Sequence, residues 1–482
     1  MPESVSRKRN WVLSFLLLVA LLIGCGAFLA WYKFFREQPD GPFVSNDERF
    51  MYASIGGENA AGLPYWIFLV LPRMFPEYLP GPGGYASLGI AWEEGRELPV
   101  GFTKKVVGFP RVSNTCAVCH TASYRATPDA TPVFVPAGPG HTANVQGFFR
   151  FLRDCAQDPR FNPDNLLEEI KRVTDLSLLD QLLYRFVIIP LTRKALQQRS
   201  FDWMEREDMA AWGHGRDDAM NLTKYFMLEM REDGTYGPTD FPSIWNLKKY
   251  QPERGMRMNW DGATYNARSV LIDSALGIVA EPQRDFLHHI DWLLDYLSNL
   301  PPPPYPFPID QALAHAGEAL FTAECARCHR SERTGKRVPL TEVGTDENRI
   351  LSWSHAAARA ANAKALELGV QRRGMIDDEP LNGYIAVHLD GVWLRAPYLH
   401  NGSVPTLRDL LKPAAERPQV FYRGYDLYDQ AAMGFVSAGT VAERVGNLHD
   451  TRLRGNGNQG HEYGTLLSEE ERQALIEYLK TL

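Results

Sequence analysis

Two short stretches carry the residue types that do redox chemistry. SNTCAVCHTASY sets Cys116 and Cys119 three residues apart with His120 directly behind, and AECARCHR repeats the figure with Cys325, Cys328 and His329. In C-x-x-C-H the two thiols form thioethers with the vinyl groups of haem and the adjacent imidazole ligates the iron, so this spacing reads as c-type haem attachment. With 6 Cys and 12 His among 482 residues, chance predicts ~0.002 copies, and two are present. Two other readings of the cysteines leave the histidines idle. Cys116, Cys119, Cys325 and Cys328 together would make a Cys₄ zinc site, and each C-x-x-C alone would make a thioredoxin-like redox pair. Cys155 reads as a buried free cysteine.

Helices must hold these motifs. AHAGEALFTAECARCH leads into the second motif as a stretch of small and apolar residues. The chain closes with LSEEERQALIEYLKTL, where Ser468 and Glu471 make a capping box and Leu475, Tyr478, Leu479 and Leu482 line one face. Residues 285–300 repeat the pattern, with Phe286, Ile290, Leu293, Leu294 and Leu297 on one face. Directly after them PPPPYPFP (301–308) lacks the backbone donors of a regular element and reads as an extended linker. The expectation is a mainly α protein with few strands and long irregular loops: a first haem c domain with insertions over 33–300 and a second over 309–482. Its 39 glycines and 33 prolines suit the loops.

The rest of the composition narrows the setting. The chain is 45% apolar, enough for substantial cores, and its net charge of −7 comes without a basic stripe, which excludes nucleic-acid binding. Residues 11–32, WVLSFLLLVALLIGCGAFLAWY, are uncharged and just long enough to cross a bilayer core of about 30 Å. Arg7, Lys8 and Arg9 precede them, so residues 1–10 should stay in the cytoplasm and the body should lie in the periplasm, anchored to the inner membrane. Trp11, Trp31 and Tyr32 sit where aromatic rings favour the interface. A competing reading takes Leu22-Ile23-Gly24-Cys25 as a lipobox, which would make the protein a lipoprotein anchored at Cys25.

The segments 52–79, NTCAVCHTASYR, PAGPGHTANVQGFFRFL, TDFPSIWNLKK, MNWDG, CARCH, GVWLRAPYLHNGSVPTLRDLL and GNGNQGHEYG resemble dihaem c-type cytochromes related to bacterial cytochrome c peroxidases. They are most similar to the dihaem rubber oxygenases and their relatives. The resemblance implies two covalently bound haem c groups, the first with one open face and His120 as its proximal ligand. The second would be bis-histidine, with His329 proximal and His461 distal; His400 in YLHNG and His449 are rivals for the distal place, and His400 otherwise reads as hydrogen-bonding within its NGS turn. Over the first haem the matching segments offer His141, Trp260 with Asp261, and Leu276, which stands where rubber oxygenases carry phenylalanine. Asp261 and Arg268 equally suit a structural ion pair. An open iron binds dioxygen or hydrogen peroxide, and a six-coordinate one is confined to electron transfer.

Three activities stay open on this reading. The favoured one is oxygenation of a hydrophobic, alkene-like substrate at the first haem, with the second as electron relay. A peroxidase would draw electrons from a small periplasmic donor and need a distal acid such as Glu205, Glu207, Glu229 or Glu232. A non-enzymatic electron carrier would have both irons six-coordinate.

Overall fold

The computed structural model describes residues 3–198, 202–206, 209–278, 285–367, 375 and 379–482. It is helix-rich. The N-terminal helix α1 (Glu3–Phe34) carries an apolar stretch, Trp11–Phe34, none of which is buried; by length and composition it suits a membrane span or a signal sequence. Beyond it come α2 (Asn46–Tyr52), α3 (Tyr65–Met74), α4 (Val145–Gln157), α5 (Pro163–Lys171), α6 (Leu178–Leu183) and α7 (Ile189–Gln198). A single π-helical turn, Tyr184–Ile188, joins α6 to α7, so the two run on as one rod.

Strands are short. β1 (Leu63–Pro64), β2 (Phe102–Val107) and β3 (Phe109–Asn114) form an antiparallel sheet in the order β1-β3-β2, and β4 (Thr121–Tyr124) pairs with β5 (Val133–Pro136) directly after the first motif. The other sheets among the described residues are two-stranded.

The amphipathic segments fold where their periodicity places them. Phe286–Asn299 buries Phe286, Ile290, Leu293 and Leu297, and Gln311–Glu324 ends on Cys325. The closing helix, Glu469–Leu479, has both halves of the Ser468/Glu471 capping box. It packs on Gln311–Glu324 so tightly that a Cβ on Gly317 would collide with the Ala474 carbonyl oxygen. Glycine lets the two backbones touch there.

One apolar core runs past both motifs. It joins Phe50 and Met51 of α2, Ala117 of the first motif, Leu271 to Leu276, Phe286 to Leu297, Phe321, Trp393, Tyr398 and Leu475 to Leu479. Cys116 and Cys325 both border it. A second core, around Phe68, Phe151, Leu166 and Ile170, holds α3, α4, α5 and α7 together beside the first motif. Residues 301–308 take no regular structure, and they are anchored: Trp393 Nε1 donates to the Pro303 carbonyl at 2.9 Å, and Phe307 stacks on Tyr428 at 5.7 Å.

Candidate functional site

Both motifs adopt the same local turn. The His120 N–H donates to the Cys116 carbonyl at 2.9 Å, and the His329 N–H to the Cys325 carbonyl at 3.0 Å. One helical turn therefore brings both cysteines and the histidine to a common face. The first turn opens with Thr115, whose hydroxyl caps the Ala117 N–H. It is pressed against Gly101, which has φ +83° and where a Cβ would collide with the Val118 nitrogen. The second turn needs no such wedge, because a 14-residue helix runs straight into it.

Each motif histidine is oriented by a backbone carbonyl on a distant segment. His120 Nδ1 lies 2.9 Å from the Pro242 oxygen, and His329 Nδ1 lies 2.7 Å from the Val387 oxygen. An Nδ1–H donated to a carbonyl fixes the tautomer and leaves Nε2 with its lone pair free, the arrangement metal-bound histidines share. Burial pushes His120 down to about 4 and also lowers His329, so both rings are held neutral, the form that can ligate a metal.

An apolar cavity opens beside the second motif, walled by Cys325, Cys328, His329, Trp260, Tyr384, Leu410 and His461 among others. Across it the His329 and His461 ring centroids stand 6.2 Å apart. Two metal–imidazole bonds of about 2.0–2.1 Å, plus roughly 1.1 Å from each nitrogen to its ring centre, sum to about 6.3 Å. The pair therefore fits one metal held between two imidazoles. Burial drives His461 down to about 3, again leaving a neutral ring. His400 lines the same cavity but stacks on Tyr384 at 3.9 Å, and its Nε2 makes no hydrogen bond among the described residues. It does not close its own turn as expected; backbone bonds do so, Gly402 N–H to Leu399 and Tyr398 N–H to Val404. His449 is buried elsewhere, beside Phe421.

The first motif is arranged differently. The ring recorded beside His120, among the described residues, is Phe241 at 6.4 Å, with no second imidazole. Leu276 is buried in the same core cluster as Ala117. The His141 ring stacks on Phe435 at 3.7 Å, in a buried group with Arg423 and His214. Trp260, expected over the first haem, instead lines the cavity of the second motif and donates from Nε1 to the Asp240 carbonyl at 2.9 Å. Asp261 is ion-paired, but to Arg349 at 3.0 Å with both side chains buried; Arg268 pairs with Asp291 at 2.6 Å. Asp261 and Arg268 are thus not partners, because Asp261 turns inward while Arg268 lies on an outer helix face.

Of the acids considered for a peroxidase, Glu205 is exposed and paired with Arg150 and Arg153, Glu229 and Glu232 are exposed, and Glu207 lies outside the described residues. Asp217 was not legible as a candidate, since GRDD carries no pattern that sets one aspartate apart. Burial pushes its carboxyl up to about 7, and its charge acts on the Cys119 sulfur. His289 lies with Arg49 and Trp292 in a small cleft against Cys116. The four motif cysteines do not converge, and no cluster of three or more His, Cys, Asp or Glu exists among the described residues to make the Cys₄ site.

Residues 383–422 match a family model described as RoxA-like, cytochrome c-like. This supports a RoxA-like cytochrome c relationship. The matched segment contains Val387, which orients His329, together with Tyr384, Arg395, Tyr398 and Leu410 of the cavity wall. A cytochrome c-like domain implies covalently bound haem c, and the paired cysteines, carbonyl-oriented histidines and apolar cavity of this chain fit it. Two relatives come from Sinorhizobium fredii (strain NBRC 101917 / NGR234), both named as uncharacterized proteins. To y4iM the chain is 35% identical over 284 residues, which cover 50% of this chain and 64% of that protein. To y4iJ it is 26% identical over 619 aligned positions, covering 99% of this chain and all of that protein.

Proposed function

We propose that the protein is a membrane-anchored, periplasmic dihaem c-type oxidoreductase. In this reading Cys116, Cys119 and His120 would hold one haem, which would supply dioxygen or peroxide chemistry, and Cys325, Cys328, His329 and His461 would hold a second, which would supply electron transfer. The carrying observation is the asymmetry between the motifs: His329 faces an imidazole at 6.2 Å, whereas His120 has Phe241 as its recorded ring neighbour. A haem with a vacant axial position binds dioxygen or peroxide, and one with both filled passes electrons. The chain's own contribution is positioning. The Pro242 and Val387 carbonyls hold the two proximal rings, and the core around Leu271, Ala275 and Leu276 keeps the surroundings of the first motif apolar. An apolar setting suits a hydrophobic, alkene-like substrate, so oxygenation of such a molecule is the favoured reaction.

Low-temperature EPR, with carbon monoxide added to the reduced protein, tests this. One high-spin and one low-spin haem are expected, with carbon monoxide binding half of the total. Two low-spin haems that ignore carbon monoxide would leave the electron carrier as the better reading.

A peroxidase is favoured by one observation of its own. Asp217, with its carboxyl near neutrality beside the first motif, is suited to moving a proton during O–O cleavage. Turnover of peroxide with a reduced small cytochrome, against oxygen uptake with an alkene, separates the two reactions.

A further inference from the structure

The rod formed by α6, the π-turn and α7 carries an apolar stripe that no described residue covers. Leu178, Leu182 and Phe186 follow at steps of four residues and are 80%, 54% and 68% exposed, and Leu179 and Leu191 extend the stripe. Side chains four apart share a helix face. The opposite face, Tyr184, Ile188 and Ile189, is buried in the second core. The stripe is therefore the outer side of an element whose inner side is already satisfied.

Its place relative to α1 decides what covers it. Lys33, in the last turn of α1, bonds through Nζ to Asp180 Oδ1 at 2.6 Å, and Asp180 lies within the stripe's own helix. Other contacts fix the same junction. Arg111 donates to the Phe34 carbonyl at 3.2 Å, Phe34 meets Phe109 edge-on at 6.3 Å, and Phe109 meets Tyr184 at 6.4 Å. The chain leaving α1 then pairs with β2, the Gln38 N–H donating to the Val106 carbonyl at 3.0 Å. A rigid docking therefore holds the stripe at the end of the apolar span Trp11–Phe34. At about 1.5 Å per residue that span exceeds the roughly 30 Å hydrocarbon core, which puts Lys33 and its partner Asp180 at the headgroup level.

We propose that the α6–α7 rod lies in the interface of the membrane that α1 crosses, with Leu178, Leu179, Leu182, Phe186 and Leu191 seated among the acyl chains. Helices of this kind bury an apolar face about 5–10 Å below the headgroups while basic residues meet anionic lipid. Arg185 and Lys194, both on this rod, are exposed, and Arg185 is ion-paired with Asp164. The result is a body tilted and held close to the bilayer at two places rather than swinging on one helix. The proposal rests on the reading of α1 as a membrane anchor.

The test uses the full haem-loaded chain in nanodiscs of zwitterionic and anionic phospholipid. Cys25→Ser removes the exposed free thiol; Cys155 is fully buried, and the motif cysteines are bound to haem in the proposed holoprotein. Single nitroxides are then placed at Leu182→Cys, at Phe186→Cys, at Leu17→Cys in α1 and at Val420→Cys on the exposed body, and collision with oxygen is compared with collision with a water-soluble nickel chelate. Oxygen favoured several-fold over nickel at 182, 186 and 17, and nickel favoured at 420, is the expected result. Nickel access at 182 and 186 with 17 still membrane-buried overturns the proposal and leaves the anchor standing. Shielding from both reagents at 182 and 186 also overturns it, in favour of a second copy or another protein. Nickel access at 17 overturns the anchor, and the proposal with it.

Discussion

His461 holds a left-handed backbone, φ 50°, at a non-glycine position, with its N–H bonded to the Val343 carbonyl at 2.7 Å. Such a conformation costs on the order of 1–2 kcal/mol and is kept only where surroundings enforce it. With this backbone the His461 ring stands 6.2 Å from that of His329. His461→Ala is expected to convert the second haem from low-spin to high-spin and to give it carbon monoxide binding, while His400→Ala leaves the spin state unchanged. EPR of both variants checks the pair, and the reverse result would reassign the ligand to His400. Asp217 makes a pH prediction. Its folded-state pKa lies above its unfolded one, so the folded protein holds the extra proton between about 4 and about 7. The associated stability is present below about 4 and lost as pH rises through about 7. Asp217→Asn should flatten that slope in denaturant titrations, and, if peroxide is the substrate, remove the limb near pH 7 from the turnover profile. The two C-x-x-C-H turns were legible because their residues stand only three and four apart in the chain. Trp260 was expected at the first motif and lines the cavity of the second, because which cavity a ring enters depends on segments far away in the chain.

At the scale of elements, the contact between Gln311–Glu324 and Glu469–Leu479 is the best specified. The capping box and apolar face of the closing helix were readable, yet its partner was not, since amphipathicity names a buried face without naming what buries it. Gly317 supplies the fit. Gly317→Val would force the helices apart at the Ala474 carbonyl and is expected to cost about 1–3 kcal/mol, with a lowered denaturation midpoint. Gly317→Ala should give a smaller loss in the same assay. The sign is informative, because alanine stabilises an ordinary helix interior by up to ~1 kcal/mol. A gain would mean that the helices can separate freely.

For the whole molecule, the core shared by both motifs bears on how the chain comes apart. Segments before and after 301–308 contribute to one cluster, and the linker is pinned by Trp393, Phe307 and Tyr428. Haem-loaded protein is therefore expected to unfold its body in one cooperative transition, with Soret absorbance and calorimetry reporting the same midpoint. Two separated transitions would mean that the halves 33–300 and 309–482 are energetically independent despite their contact.

The sequence by itself determined what is local: the C-x-x-C-H turn twice over, the ends and apolar faces of the main helices, the apolar N-terminal span and the irregular character of the loops. Each follows from spacing along one or two turns of chain, which residue types alone dictate. Only the tertiary structure decided which carbonyls orient His120 and His329, that His461 rather than His400 faces His329, that Asp261 pairs with Arg349, and that an exposed stripe on α6 and α7 sits at the end of α1. These are meetings of residues far apart in the chain, set by packing free energy summed over whole cores, and no short-range pattern encodes them.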